Sequence, residues 1–272
     1  MNNLSIGIFD SGFGGLTVMN AVTALLPHES IFYFADTAHL PYGNKRAEDI
    51  LEYSFQSISF LAEQGIKLLV IACHTSCVTS FTALQKHFPF SIVSIAEAGI
   101  RKLIAQDKKD HLVFLATETT VSSGVYQQII QTKLPNCKIT AVACPLFVPL
   151  VEMGYINHPL ITQSVVKEHL RPLKETKDPI DAVLLACTHY PLLRASIEQE
   201  LDSCVPLIDP AKSCAKEVQR LLIENNLENN SLSSPKHQFY VSDNPLRFQT
   251  LGALFFPSPI EPIFCSQTYS LH

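Results

Sequence analysis

No stretch of this sequence is apolar for long enough to span a bilayer as a helix, so a membrane-spanning role is not expected. Positive charge is also short. Twenty Lys and Arg face 25 Asp and Glu, the formal net charge is −5 and the pI is near 6.0. That balance counts against a nucleic-acid partner, which calls for a basic face. Charged residues make up only 17% against 47% hydrophobic ones, which excludes a disordered chain and favours a globular one. The N-terminus, Met1-Asn2-Asn3-Leu4-Ser5, has neither the basic region nor the long apolar region of a secretory leader, so a cytoplasmic location is expected. In that compartment the eight cysteines are reduced and serve as core, metal or catalytic residues.

Several cofactor motifs are incomplete. Gly12, Gly14 and Gly15 lack the spacing of a dinucleotide-binding turn, and no Gly-Lys-Ser/Thr follows them as a phosphate loop requires. Arg194 falls one place too far from Cys187 for a phosphatase-type loop, and no arginine follows Cys73 at that distance. Cys73, His74 and Cys77 begin a zinc-like pattern, but no second Cys/His pair stands at finger spacing, so no metal is expected. No lysine stands out for a Schiff base with pyridoxal phosphate.

Two stretches that answer each other are present. Leu68-Leu69-Val70-Ile71-Ala72 runs into Cys73-His74-Thr75-Ser76-Cys77, and Ala182-Val183-Leu184-Leu185-Ala186 runs into Cys187-Thr188-His189-Tyr190. Continuous apolar runs of this length read as parallel strands buried on both faces. Ligands of open α/β sheets sit at the carboxyl ends of such strands. Strand and helix patterns alternate along the whole chain, with strands at 6–9, 31–34, 112–116, 138–142 and 205–208 as well. The expected class is α/β: two domains with mostly parallel sheets, 1–95 plus 207–272 and 96–206, with the active site in the cleft between them. The polar stretch 225–236 reads as an exposed loop.

A buried free cysteine is ordinarily a small hydrophobe. Cys73 and Cys187 differ in ending a strand before a helix N-terminus, where the dipole lowers a thiol pKa, and in each having an imidazole nearby, His74 and His189. Two opposed thiols can act as base and acid on the two faces of one carbon, which is stereoinversion without a cofactor. Asp10, after the first strand, either caps the next helix or sits beside Cys73. Thr75, Ser76, Thr117, Thr119, Thr120, Ser122, Ser123 and Thr188 follow strands and either cap helices or hold a carboxylate and an ammonium group.

Taken together, Ile8-Phe9-Asp10-Ser11-Gly12-Phe13-Gly14-Gly15-Leu16-Thr17-Val18, Asp36-Thr37 with Pro41-Tyr42-Gly43, the run from Cys144 to Glu152, and Cys187-Thr188-His189-Tyr190-Pro191-Leu192-Leu193 resemble the glutamate racemases over about residues 6–210. The resemblance implies two flavodoxin-like domains and a cofactor-independent racemase. It implies that Cys73 takes the α-proton of D-glutamate and Cys187 that of L-glutamate, with Asp10 assisting the first and His189 the second. Ser11, Pro41, Tyr42, Gly43, Thr75, Thr117 and Thr188 would hold the substrate, and Glu152 would lie near the second cysteine. A homodimer and a role in supplying D-glutamate for peptidoglycan are also implied. The chain departs from the pattern where the family usually reads Cys-Asn-Thr-Ala and this sequence reads Cys73-His74-Thr75-Ser76. An imidazole in place of a substrate-contacting amide can depress the Cys73 pKa, crowd the substrate, or shift preference to another amino acid such as aspartate. A non-catalytic homologue with a binding role is the remaining alternative, opposed by the presence of both cysteines, Asp10 and His189.

Overall fold

The computed structural model of the chain describes residues 3–175, 178–201, 204–231 and 234–265. In chain order the elements are β1 (Ser5–Asp10), α1 (Leu16–Leu25), β2 (Ile31–Ala35), α2 (Ala47–Glu63), β3 (Ile66–Ile71), α3 (His74–His87), β4 (Ser91–Ser94) and α4 (Ile95–Ile104). There follow β5 (His111–Ala116), α5 (Glu118–Ser122), α6 (Val125–Lys133), β6 (Lys138–Ala143), α7 (Phe147–Glu152), α8 (Pro159–Glu175), β7 (Ala182–Ala186), α9 (Arg194–Glu200) and β8 (Leu207–Ile208). The last are α10 (Ala211–Glu224), β9 (His237–Val241), α11 (Pro245–Gly252) and β10 (Pro262–Phe264).

The chain forms two compact units, Met1–Ile95 with Ala211–His272, and Ala96–Pro210. The first holds a sheet of order β10-β9-β2-β1-β3-β4 and the second a sheet of order β6-β5-β7-β8. All neighbouring strands are parallel. Every residue of β1, β3, β5 and β7 is buried. This is why these segments read as continuous apolar runs rather than alternating ones.

Within each unit the first four strands take the spatial order second, first, third, fourth. The order of connection reverses between β1 and β3, and again between β5 and β7. Each such point opens a crevice at the carboxyl ends of the two strands, where doubly wound sheets bind ligands. Asp10 and Cys73 flank the first switch point, and Thr117 and Cys187 flank the second.

Some expectations change. The first unit resumes at 211 rather than 207, because the strand expected at 205–208 shortens to β8 and pairs with β7 in the second sheet. Neither Thr75 nor Ser76 caps α3, since the helix already begins at His74 with Cys73 in the cap position and no side-chain cap bond. In keeping with its prolines, which do not suit a central strand, the run after Cys144 forms no strand but the short α7, and the strand before it, β6, is an edge strand. In the 225–236 loop, residues 232 and 233 lie outside the described residues.

Candidate active site

The first switch point is built on a tight turn. Asp10 is buried, and its Oδ2 accepts from the backbone N–H of Gly12 at 2.9 Å. It therefore closes the turn after β1 and does not cap α1, whose cap position is Gly15. A glycine is required at 15: a Cβ there would stand 2.5 Å from the Cβ of Asp10 and 2.7 Å from the Tyr33 hydroxyl oxygen. That hydroxyl donates to the Gly12 carbonyl at 2.9 Å. The turn holds Ser11 so that its Oγ lies 3.5 Å from the Sγ of Cys73.

Cys73, Ser11, His74 and Thr75 are all buried. The helix N-terminus acts on the thiol as expected, through the Ser76 N–H, and the Ser11 and Ser76 hydroxyls favour the thiolate too. Burial first, and the Asp10 carboxylate second, outweigh them, so the Cys73 pKa is raised, not lowered. Burial also pushes His74 down to about 3, which leaves its imidazole neutral. It supplies no cation to depress Cys73, contrary to one expectation for this substitution.

The loop after β2 carries Pro41, Tyr42 and Gly43. Pro41 is exposed and follows a cis peptide bond, while Tyr42 is buried. The Tyr42 hydroxyl donates to Asp36, a fully buried carboxylate that sequence reasoning passed over as a site residue. The pKa of Tyr42 is raised well above the ordinary value, by burial, by Asp36 and more weakly by Cys73 and Asp10, so its hydroxyl stays a neutral donor.

The second switch point presents a different chain of groups. Cys187 Sγ lies 4.0 Å from His189 Nδ1, and His189 Nε2 lies 3.2 Å from Glu152 Oε1. The three come from the end of β7, the turn after it, and the end of α7. All three are largely withdrawn from solvent. Thr188 is buried beside them. Tyr190, buried, donates to the Cys144 carbonyl at 3.0 Å and anchors the turn that carries Thr188 and His189. Thr117 is a helix cap as well as a site candidate: its Oγ1 accepts from the N–H of Thr120 at 3.4 Å and donates to the Thr120 hydroxyl at 3.0 Å.

The structure thus gathers Asp10, Ser11 and Cys73 at one switch point, with His74 and Thr75 in the first turn of α3. It gathers Glu152, Cys187, Thr188 and His189 at the other. Among the described residues no group of three or more His, Cys, Asp or Glu side chains is arranged to hold a metal ion. Chemically, each point offers a sheltered thiol with a carboxylate nearby, directly at Cys73 and through an imidazole at Cys187. Such groups take up and deliver protons.

Residues 16–218 match the Asp/Glu/hydantoin racemase family. The chain is 40% identical over 250 residues to the glutamate racemase of Syntrophus aciditrophicus (strain SB), covering 92% of each. It is 40% identical over 259 residues to that of Neisseria meningitidis serogroup B, covering 95% of this chain and 94% of the other. Among solved structures, the glutamate racemase of Francisella tularensis in complex with D-glutamate superposes with a TM-score of 0.92 at 34% identity, over 99% of this chain and 100% of that one. Glutamate racemase isoform RacE1 of Bacillus anthracis does so with a TM-score of 0.93 at 31% identity, over the same shares.

Proposed function

This chain belongs to the Asp/Glu/hydantoin racemase family, and on that premise we propose that it interconverts L- and D-glutamate by a two-thiol proton transfer that needs no cofactor. One cysteine, as thiolate, removes the α-proton, and the C–H electron pair stays on the α-carbon. The other cysteine, as thiol, delivers a proton to the opposite face and is left as the thiolate. The next turnover in the reverse sense restores the starting state. Cys73 takes the proton of D-glutamate and Cys187 that of L-glutamate.

The observation that carries this reading is the duplication. Each sheet ends its third strand, at its own switch point, in a sheltered cysteine with a carboxylate nearby. Asp10 and Ser11 serve Cys73, and His189 backed by Glu152 serves Cys187. With Nε2–H donating to Glu152, the Nδ1 of His189 is the acceptor that faces the Cys187 thiol, a tautomer assigned from its partners. Ser11, Pro41, Tyr42, Gly43, His74, Thr75, Thr117 and Thr188 supply the hydroxyls, ring and backbone groups that hold the amino acid. The D-glutamate formed is a building block for peptidoglycan.

The test is proton NMR of L-glutamate with the reduced protein in D₂O, with circular dichroism of the amino acid alongside. Loss of both the α-proton signal and the optical activity is expected, and Cys73→Ala or Cys187→Ala abolishes racemisation in a protein that still folds. Full activity in either variant overturns the two-thiol mechanism. Inertness of the wild type toward glutamate overturns the substrate, and aspartate is then tried.

A further inference from the structure

The loop that carries Pro41, Tyr42 and Gly43 is held from a part of the chain some two hundred residues away. Asp36, at the foot of this loop, is fully buried and takes three side-chain donors or partners. Tyr42 donates to its Oδ2, His39 Nδ1 lies 2.8 Å from the same oxygen, and Ser242 Oγ donates to Oδ1 at 2.8 Å. Ser242 follows β9. Its hydroxyl is used twice, because the Ala38 N–H donates to it at 2.9 Å. Next to it, Thr37 and Asp243 form a reciprocal pair: the Thr37 hydroxyl donates to the Asp243 carbonyl at 2.6 Å and accepts from the Asp243 N–H at 2.8 Å. His39 is further fixed by stacking on Tyr53, with ring centroids 3.8 Å apart and planes 11° apart.

The loop held in this way is packed against the Cys73 site. A Cβ at Gly12 would stand 2.8 Å from Leu40 Cδ2, so Leu40 lies directly on the turn that presents Asp10 and Ser11. Tyr42 lies close enough to Cys73 and Asp10 for their charges to act on its hydroxyl. A shift of the loop therefore moves groups beside the reacting thiol. None of the hydroxyls in the latch touches Cys73.

We propose that Ser242, with the Thr37–Asp243 pair, is a latch that sets the shape of the 37–44 loop and so the affinity of the site for its amino acid. Ser242 is a positioning residue: it acts through Asp36 and the Ala38 amide, and it moves no proton of the reaction. The C-terminal segment, from β9 onward, is on this view part of the binding machinery and not only an extension of the sheet. The inference rests on the glutamate racemisation proposed above.

The two are separable by experiment. Steady-state racemisation of glutamate is measured for the wild type, Ser242→Ala and Ser242→Thr, with thermal melting of each. An inactive wild type overturns the proposed function, and the latch falls with it. With an active wild type, the latch predicts that Ser242→Ala raises KM about tenfold, the order expected for losing a hydrogen bond to a buried carboxylate. It leaves kcat within about twofold of wild type, since no proton-transferring group is touched. Ser242→Thr, which keeps the hydroxyl, restores KM. An unchanged KM in Ser242→Ala overturns the latch. So does a parallel fall in kcat, KM held, with a lowered melting temperature, because that is the signature of a general loss of fold. If Ser242→Thr fails to fold, the KM of Ser242→Ala against wild type still decides the question.

Discussion

Glu152 Oε1 lies 3.2 Å from His189 Nε2, on the side of the imidazole that faces away from Cys187. A carboxylate in that position fixes the ring and selects the Nε2–H tautomer, leaving Nδ1 as the acceptor on the Cys187 side. Glu152→Gln keeps a hydrogen-bonding side chain but removes the charge. We expect kcat to fall about 10- to 100-fold, the range for removing a partner that orients a working imidazole, with little change in KM. The two enantiomers are equal in free energy, so kcat/KM falls by the same factor in both directions. Polarimetric assays from L- and D-glutamate check this, and an unaltered kcat would place Glu152 outside the reaction.

The raised pKa of Cys73 has a kinetic consequence. Burial holds it up first and Asp10 second. At any given pH Cys73 therefore carries less thiolate than an exposed thiol would. Asp10→Asn removes the second cause while keeping an oxygen for the Gly12 N–H. Alkylation of Cys73 by iodoacetamide, followed on its own peptide by mass spectrometry, is expected to rise at lower pH in Asp10→Asn than in wild type. An identical profile would mean that Asp10 does not act on this thiol.

His74 makes the fold sensitive to acid. Its folded pKa is about 3 against an ordinary value of 6.5. The folded form leaves the imidazole neutral while the unfolded chain protonates it, so the unfolded state binds more protons across that interval. The stability associated with this neutral state is present above pH 6.5 and is lost as pH falls toward 3. His74→Asn removes the effect. The melting temperature of the variant should decline less than that of wild type between those pH values, and parallel declines would refute the account.

Lys67 and Glu29 form an ion pair of 2.6 Å with side chains only 1% and 4% exposed. Lys67 also donates to the Leu227 carbonyl at 2.7 Å, and Glu29 Oε1 accepts from the Asn229 N–H at 2.8 Å, so the pair ties the start of the 225–236 loop to the sheet. Lys67→Met leaves a buried carboxylate uncompensated and is expected to cost about 3–5 kcal/mol in urea unfolding. Adding Glu29→Leu should recover part of that loss. A double variant as unstable as the sum of the two singles would argue against coupling.

Much of the fold could be read directly. The runs that became β1, β3, β5 and β7 are apolar at nearly every position because parallel strands are covered on both faces, and that pattern is local in sequence. The same holds for Cys73 and Cys187, which stand immediately after such runs, and for the match of the blocks around them to one family. Harder to read were β4, α4, α11 and β10, which were not anticipated. β4 is only four residues long, too short to show a period, and the solvent-facing β10 is shorter still.

The amino-acid sequence by itself determined the α/β class, the paired strand-end cysteines and the family, because each rests on residues that are neighbours along the chain. Only the tertiary structure decided which sheet β8 joins, since a strand of two residues carries no mark of its partner. It also decided the sign of the Cys73 pKa shift. A helix N-terminus is visible in sequence, whereas the burial that outweighs it is a property of everything packed around the sulfur. The Asp36–Ser242 contact spans 206 residues, and neither position signals the other. Hydrogen bonds of that reach depend on the register of β9 against β2, which exists only once the sheet has formed.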